Sequence, residues 1–143
     1  TETIVALLAV LRSGSAFLPI DASLPLSLQQ YMLQDSGVQI VITSRAEQKN
    51  FAANVNMTIL FVEDMQLMQN KTVVAQQTSM AYVIYTSGTT QQPKGVQIAN
   101  QGLVNTILAQ IEQFGMSAQD NVLAFANCSF DAFISEIFIA LLD

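Results

Sequence analysis

Apolar residues along the chain recur in two alternating patterns. Short runs rich in β-branched and aromatic residues predict strands, and longer runs with helical spacing predict amphipathic helices. Because the two kinds of segment alternate, the sequence predicts an α/β fold with a mostly parallel sheet and flanking helices. The predicted helices cover residues 2–14, 26–36, 45–53, 100–114 and 133–142, and the predicted strands cover residues 16–20, 38–43, 58–62, 81–85, 96–98 and 122–126.

Two of these elements are unusually apolar. The helical run from Thr1 to Leu11 is apolar almost all round, which predicts burial on more than one side. The strand at residues 38–43 is apolar on both faces, as is typical of an interior parallel strand. With only 11% charged residues in the chain, we expect it to be part of a larger protein whose other parts cover some apolar faces.

Composition removes several classes of function. The chain has no histidine and one cysteine, Cys128, so it holds neither a Ser-His-Asp triad nor an internal disulfide, and we expect a reducing, cytoplasmic location. A net charge of -6 with five Lys plus Arg leaves no basic surface for nucleic acid. The apolar run from Ile4 to Leu11 is too short to cross a membrane and lacks a basic leader, so we expect no signal peptide and no membrane partner.

The most specific feature is the polar loop from Thr86 to Gly95, which follows a predicted interior strand. It combines four hydroxyl residues with two glycines and Lys94, the only basic residue after Lys71 in the sequence. Glycines let successive backbone amides approach an anion, and the carboxyl end of a strand is where open α/β sheets bind ligands. The loop therefore predicts a phosphate site, although a solvated turn would use the same residue types.

Three segments carry a resemblance to a known family. The run YTSGTTQQPKGV at residues 85–96 resembles the phosphate-loop signature of adenylate-forming enzymes, with Gln91 in place of a glycine. The runs LAVLRSGSAFLPID at residues 8–21 and YMLQDS at residues 31–36 resemble the second core motif of adenylation domains of non-ribosomal peptide synthetases. The run SFDAFISEIFIALL at residues 129–142 resembles their fourth motif.

This resemblance implies an ATP-dependent ligase that activates an amino acid as aminoacyl-AMP and passes it to a peptidyl carrier protein. It implies that residues 1–143 form part of the N-terminal subdomain, with the C-terminal subdomain and the Mg²⁺ ligands elsewhere, and that neighbouring synthetase domains are partners. The residues that it assigns to the phosphates are Thr86, Ser87, Gly88, Thr89, Thr90, Lys94 and Gly95, with Lys94, Thr86 and Thr89 in catalytic roles. A side chain at Gln91 disfavours positive φ, which would weaken loop closure.

The resemblance also implies a substrate pocket on the last helix. Asp131 corresponds to the aspartate that pairs with the substrate ammonium, and a carboxylate among apolar neighbours is costly to bury without a cation. Its alternative role is to cap the helix. Ala132 and Ser135 share a helix face and match pocket-lining positions. The nearby phenylalanines, Phe125, Phe130, Phe133 and Phe138, are expected in the core.

Two other functions stay open at this stage. An acyl-CoA or aryl-acid ligase of the same superfamily would keep the phosphate loop, but its substrate has no ammonium group to pair with Asp131. A non-catalytic α/β module could bind a phosphate without activating a carboxylate, and Gln91 is the residue that favours it.

Overall fold

The computed structural model describes residues 2–50, 57–65, 79–87 and 92–142. The predicted α/β class is confirmed, with helices flanking two small pieces of sheet. The helices are α1 (Glu2–Arg12), α2 (Leu26–Ser36), α3 (Val62–Met65), α4 (Asn100–Phe114) and α5 (Asp131–Leu142), with a 3-10 helix at Arg45–Asn50 between the first two strands. The strands are β1 (Ile40–Thr43), β2 (Thr58–Phe61), β3 (Met80–Thr86) and β4 (Lys94–Ala99).

Helices with strong local signals lie where the sequence predicts them. Both α2 and α4 have the predicted bounds. Helix α2 ends at Gly37, which has φ of 64° and donates its amide to the carbonyl of Gln34. A left-handed residue of this kind terminates a helix, and glycine adopts it without the steric cost of a Cβ atom.

The strand pairing is partly parallel. Strands β1 and β2 pair in parallel, from Ile40 opposite Thr58 to Thr43 opposite Phe61. Strands β3 and β4 instead form an antiparallel hairpin. On its other edge β3 is joined in parallel by Phe17, which donates to Ala81 and accepts from Val83. The hairpin was not predicted, although the connection from Ser87 to Pro93 is too short for the crossover that a parallel pair needs.

Four predicted elements differ from the structure. Residues 16–20 contribute a single bridge at Phe17 rather than a strand, and residues 122–126 form no strand. The predicted helix at residues 45–53 is a 3-10 helix as far as Asn50, and residues 51–53 lie outside the described part. Val62 begins α3 instead of ending a strand. A run of β-branched residues becomes a strand only when a partner supplies its hydrogen bonds, which local pattern does not report.

The main core lies between the β3–β4 hairpin and the helices α1, α4 and α5. Ile107 and Ile134 are the largest fully buried side chains, and they bring α4 and α5 together over β3. A smaller cluster joins Leu33 of α2 to Val41 of β1. Close packing of these apolar side chains is what holds the hairpin against the helices.

Some side chains expected in the core are exposed. Phe125 is 85% exposed and Phe130 is 63% exposed, whereas Phe138 is buried and Phe133 packs partly against the core. In α1 only Leu7 is buried, and Val5 is 54% exposed, so the predicted burial on more than one side is not met. Val5, Phe125 and Phe130 belong to neither of the two core clusters. None of the helices in the described residues is long and apolar enough to cross a membrane.

Gly95 in β4 has little space for a side chain. It pairs with Tyr85, and a Cβ atom there would lie 3.2 Å from Cζ of the Tyr85 ring and 3.2 Å from Cγ1 of Val83. The Tyr85 ring is held at this same end, because its hydroxyl, which is bonded to Cζ, donates to Oδ2 of Asp35 at 2.6 Å. The ring therefore has little freedom to move away from an added methyl group.

We expect Gly95→Ala to destabilise the protein by about 1 kcal/mol, as overpacking does when neighbours cannot relax. The control is Gly102→Ala in α4, where the nearest atom to an added Cβ is 3.9 Å away and where alanine should stabilise the helix by roughly 0.5–1 kcal/mol. Urea unfolding followed by circular dichroism measures both changes. A Gly95→Ala variant as stable as the wild type would contradict the close contact.

Candidate functional site

The hairpin brings the two ends of the predicted phosphate loop together. Thr86, the last residue of β3, is paired with Lys94, the first residue of β4. Ser87 follows directly, and all three of these residues are exposed. Gly95 lies next to Lys94, opposite Tyr85. Gly88, Thr89, Thr90 and Gln91 lie outside the described residues, so their assignments stay predictions.

The pairing decides which chemical groups can act on one ligand. Directly opposed residues of an antiparallel pair project their side chains from the same face, with Cβ atoms about 5 Å apart. The hydroxyl of Thr86 and the ammonium of Lys94 therefore leave the hairpin on one side, next to Ser87. A phosphate group is bound well by hydroxyl donors that lie beside a cation. The loop that joins Thr86 to Lys94 contains a glycine, which lets backbone amides contribute as further donors.

A second site lies on the surface between α4 and α5. A depression of about 380 Å³ there is lined by the three predicted substrate residues, Asp131, Ala132 and Ser135. Glu136 of the same helix, Gln110 and Phe114 of α4, and Val122 complete most of its wall. These side chains come together because Asp131, Ala132, Ser135 and Glu136 lie within two turns of one helix.

Asp131 is at the open rim of this depression. Its side chain is exposed, so the burial cost that the sequence predicted for it does not arise in the described chain. It is the first residue of α5 rather than the capping residue before it, and a carboxylate in the first turn interacts favourably with the helix dipole. Burial in the core, and to a lesser extent the charge of Asp131, raises the pKa of Tyr82 in β3.

The polar groups around the depression are mainly acceptors. Glu136 uses both carboxylate oxygens, accepting from the amide of Phe125 at 2.9 Å and from the amide of Ala126 at 3.0 and 3.3 Å. Gln110 has a buried side-chain oxygen with no hydrogen-bond partner among the described residues. A ligand that enters this depression therefore meets two carboxylates, of Asp131 and Glu136, and no basic side chain among the residues that line it.

Glu136 is a residue that the sequence analysis did not single out. By fixing two amides of the segment before α5, it holds Val122–Ala126 against the helix and so shapes one wall of the depression. The signal was present, because Glu136 is the only charged residue between Ile134 and Leu142. A charge in such a run needs a partner, and here the partners are backbone amides.

The segment before α5 is also tied to the second motif. Asp21 accepts from the amide of Ser23 at 2.8 Å and from the side-chain amide of Asn127. These hydrogen bonds lower the pKa of Asp21 below its ordinary value, with the bonds from Ser23 the largest cause. The carboxylate is therefore charged at neutral pH and joins residue 21 to residue 127 across the fold. Cys128, just after Asn127, is half-buried, and burial raises the pKa of its thiol.

Metal ligands are a separate question. Within the four described ranges, no group of three or more Cys, Asp or Glu side chains lies close enough to hold a metal ion. We therefore assign no Mg²⁺ ligand to them and derive no step through the ion.

Comparison with known sequences gives the same family over the whole chain. A model described as AMP-binding enzyme matches residues 1–143. Tyrocidine synthase 1 of Brevibacillus parabrevis is 39% identical over 146 residues, which cover 99% of this chain and 13% of that protein. Bacitracin synthase 3 of Bacillus licheniformis is 36% identical over 146 residues, which cover 99% of this chain and 2% of that protein. The chain thus spans a small part of these relatives.

Comparison with solved structures agrees. The nonribosomal peptide synthetase FmoA3 superposes with a TM-score of 0.85 and 30% identity, over 96% of this chain and 15% of its own. Its AMPPNP-bound form gives a TM-score of 0.84 at 30% identity over 98% of this chain and 15% of its own. The o-succinylbenzoate CoA synthetase of Bacillus subtilis, 22% identical, shares the fold with a TM-score of 0.84 over 99% of this chain and 38% of its own.

We expect Glu136→Gln to destabilise the protein by about 1 kcal/mol, because a neutral amide is a weaker acceptor than a carboxylate. Amide hydrogen exchange at Phe125 and Ala126 should become faster, which nuclear magnetic resonance can follow. The matched control is Glu112→Gln, an exposed residue on α4. Unchanged exchange at both amides in Glu136→Gln would show that the carboxylate does not hold the segment.

Proposed function

Because this chain belongs to the AMP-binding enzyme family, we propose that the protein containing it activates an amino acid with ATP as aminoacyl-AMP, for transfer to a carrier-protein thiol in non-ribosomal peptide synthesis. Residues 1–143 would form part of the N-terminal subdomain of its adenylation domain. The observation that carries the proposal is the opposition of Thr86 and Lys94 at the mouth of a hydroxyl-rich loop.

The loop would hold the β- and γ-phosphates of ATP, which leave as pyrophosphate. In our proposal Thr86, Ser87, Gly88, Thr89, Thr90, Lys94 and Gly95 bind the β- and γ-phosphates through backbone amides, hydroxyls and one ammonium. Phosphoryl and nucleotidyl transfers depend largely on positioning and charge stabilisation, so a donor-rich loop is what such a reaction needs. Lys94, Thr86 and Thr89 would stabilise the negative charge that develops on pyrophosphate.

The depression on α5 would hold the amino acid. Asp131 would pair with the α-ammonium group, and Ala132 and Ser135 would line the side-chain pocket. The lining supports this role, because a rim with two carboxylates and no basic side chain favours a cation over a simple carboxylic acid. An ammonium at Asp131 is the feature that distinguishes this function from that of an acyl-CoA or aryl-acid ligase.

The reaction balances without an external acid or base. A carboxylate oxygen of the amino acid attacks the α-phosphorus of ATP and forms a new P–O bond, while the bond from that phosphorus to the β-phosphate oxygen breaks. Pyrophosphate leaves with the bonding electron pair. The residues of this chain act by holding both reactants in place and by accepting the charge of the leaving group. Mg²⁺, when bound, would add charge neutralisation.

The relatives support the same assignment. The solved FmoA3 forms include one bound to AMPPNP and one bound to alpha-methyl-L-serine-AMP, the latter at 29% identity and a TM-score of 0.83. Tyrocidine and bacitracin synthases are the curated relatives with 39% and 36% identity. A peptidyl carrier protein and neighbouring synthetase domains are accordingly the partners that we propose.

The first test concerns Asp131. In amino-acid-dependent exchange of pyrophosphate into ATP, we expect Asp131→Asn to raise KM for the amino acid by about 10- to 100-fold, the cost of losing a charge partner. The control is the des-amino analogue of the same substrate, for which wild type and variant should be equally poor. Exchange supported by acids without an ammonium group, with no effect of Asp131→Asn, would favour an acyl- or aryl-acid ligase. If the wild type exchanges pyrophosphate neither with amino acids nor with acids that lack an ammonium group, the result would favour a non-catalytic module.

The second test concerns Lys94. We expect Lys94→Ala to lower kcat/KM for ATP by about 100-fold, as expected for loss of a group that stabilises developing charge. The urea midpoint should not change, because Lys94 is exposed. The control is Gln97→Ala, an exposed residue of the same strand, which should keep wild-type exchange. An unfolded Lys94→Ala variant, or one with normal kcat/KM, would contradict the assignment.

A further inference from the structure

Helix α2 contacts the phosphate loop through Tyr31, the first residue of the YMLQDS run, to which the proposed mechanism gives no role. The hydroxyl of Tyr31 donates to the carbonyl oxygen of Pro93 at 3.1 Å, across a sequence separation of 62 residues. The contact is partly buried. Pro93 is the residue immediately before Lys94, so the hydrogen bond reaches the loop where its lysine begins.

The position of this oxygen has a direct consequence for Lys94. The carbonyl group of Pro93 and the nitrogen and Cα atoms of Lys94 lie in one planar peptide unit. The proline ring fixes φ of Pro93, which leaves ψ as the one soft torsion that orients this plane. A donor that holds the carbonyl oxygen therefore limits the direction in which the Lys94 backbone leaves the loop.

A second tyrosine also joins helix α2 to the hairpin. Tyr85 of β3 lies edge-on to Tyr31, with ring centroids 6.2 Å apart. Its hydroxyl donates to Oδ2 of Asp35 in α2 at 2.6 Å. Burial, together with the Asp35 carboxylate, raises the pKa of Tyr85 well above its ordinary value, so it remains a donor at neutral pH. Helix α2 thus contacts strand β3 and the loop residue just before β4.

We propose that Tyr31 is a positioning residue that orients Lys94 toward the bound nucleotide by holding the Pro93 carbonyl. This inference rests on the proposed function, in which Lys94 binds the phosphates. It assigns to Tyr31 a role in nucleotide affinity and none in contact with the amino acid. Both tyrosine rings contribute to packing, but the hydroxyl of Tyr31 bonds to Pro93 and that of Tyr85 bonds to Asp35. Removing each hydroxyl in turn therefore separates the role of the bond to Pro93 from that of ring packing.

The test removes one hydroxyl at a time. Tyr31→Phe keeps the ring and its edge-on contact but loses the bond to Pro93, and Tyr85→Phe is the matched control, because it loses a hydroxyl that bonds to Asp35 instead. In pyrophosphate exchange we expect Tyr31→Phe to raise KM for ATP by about 3- to 10-fold, the value of one hydrogen bond, with KM for the amino acid unchanged. Tyr85→Phe should raise KM for ATP less than Tyr31→Phe does, because it leaves the bond from Tyr31 to Pro93 in place.

A double-mutant cycle tests whether Tyr31 acts through Lys94. In the Lys94→Ala background, Tyr31→Phe should change KM for ATP by less than about 2-fold, since coupled residues do not contribute independently. Full additivity of the two substitutions would overturn the proposal, as would equal KM values for ATP in Tyr31→Phe and Tyr85→Phe.

A measurement without nucleotide keeps this inference separate from the proposed function. Amide hydrogen exchange over residues 92–96 should become faster in Tyr31→Phe than in Tyr85→Phe. If the wild type shows no amino-acid-dependent exchange of pyrophosphate, the proposed function fails, and the amide exchange alone then decides whether Tyr31 orients residue 94. Equal amide exchange in the two variants would overturn the proposal.

Discussion

The antiparallel pairing of β3 with β4 is the constraint on which the site depends. Its last pair sets Thr86 opposite Lys94, so the residues between them must return within one short loop. If the two strands slipped by one residue, the side chains would exchange faces and the ammonium would leave the hairpin on the side away from Thr86. The register is supported at the next pair, where a Cβ atom on Gly95 would lie 3.2 Å from Cζ of the Tyr85 ring, a tight contact.

The surrounding helices hold the hairpin in place. Helices α4 and α5 cover one side of β3 through Ile107 and Ile134, which supply the apolar burial that stabilises the sheet. Helix α2 is joined to β3 by the bond between Tyr85 and Asp35, and to the loop just before β4 by the bond between Tyr31 and Pro93. The same helix α5 that packs on β3 also carries Asp131 and Ser135, so the core connects the loop to the depression on α5. The two sites are parts of one packed unit.

Sequence reasoning succeeded where the signal was local. The bounds of α2 and α4 follow from helical spacing and from a glycine after the last turn. The shared face of Ala132 and Ser135 follows from helix geometry, while their grouping with Asp131 came from the family resemblance, and the depression includes all three. The short connection from Ser87 to Pro93 was a signal for an antiparallel hairpin that the prediction did not use, whereas the register that pairs Thr86 with Lys94 depends on tertiary packing.

Predictions from sequence were wrong where the structure of a segment depends on residues that are far away in the chain. Residues 122–126 have the composition of a strand, yet two of their amides are bound by the Glu136 carboxylate and they form no ladder. Phe125 and Phe130 are apolar but exposed, because hydrophobicity reports a tendency to be buried and not which surface covers the side chain. The bond from Tyr31 to Pro93 had no sequence signal, since it joins residues far apart in the chain.

The central claim is that the loop between β3 and β4 binds the triphosphate of ATP. A crystal structure of the protein with a non-hydrolysable ATP analogue tests it most directly. The account predicts the β- and γ-phosphates within hydrogen-bonding distance of Ser87 and of the Lys94 ammonium, on the side of the hairpin from which Thr86 projects. A nucleotide bound elsewhere, with the Lys94 side chain directed into solvent, would contradict it.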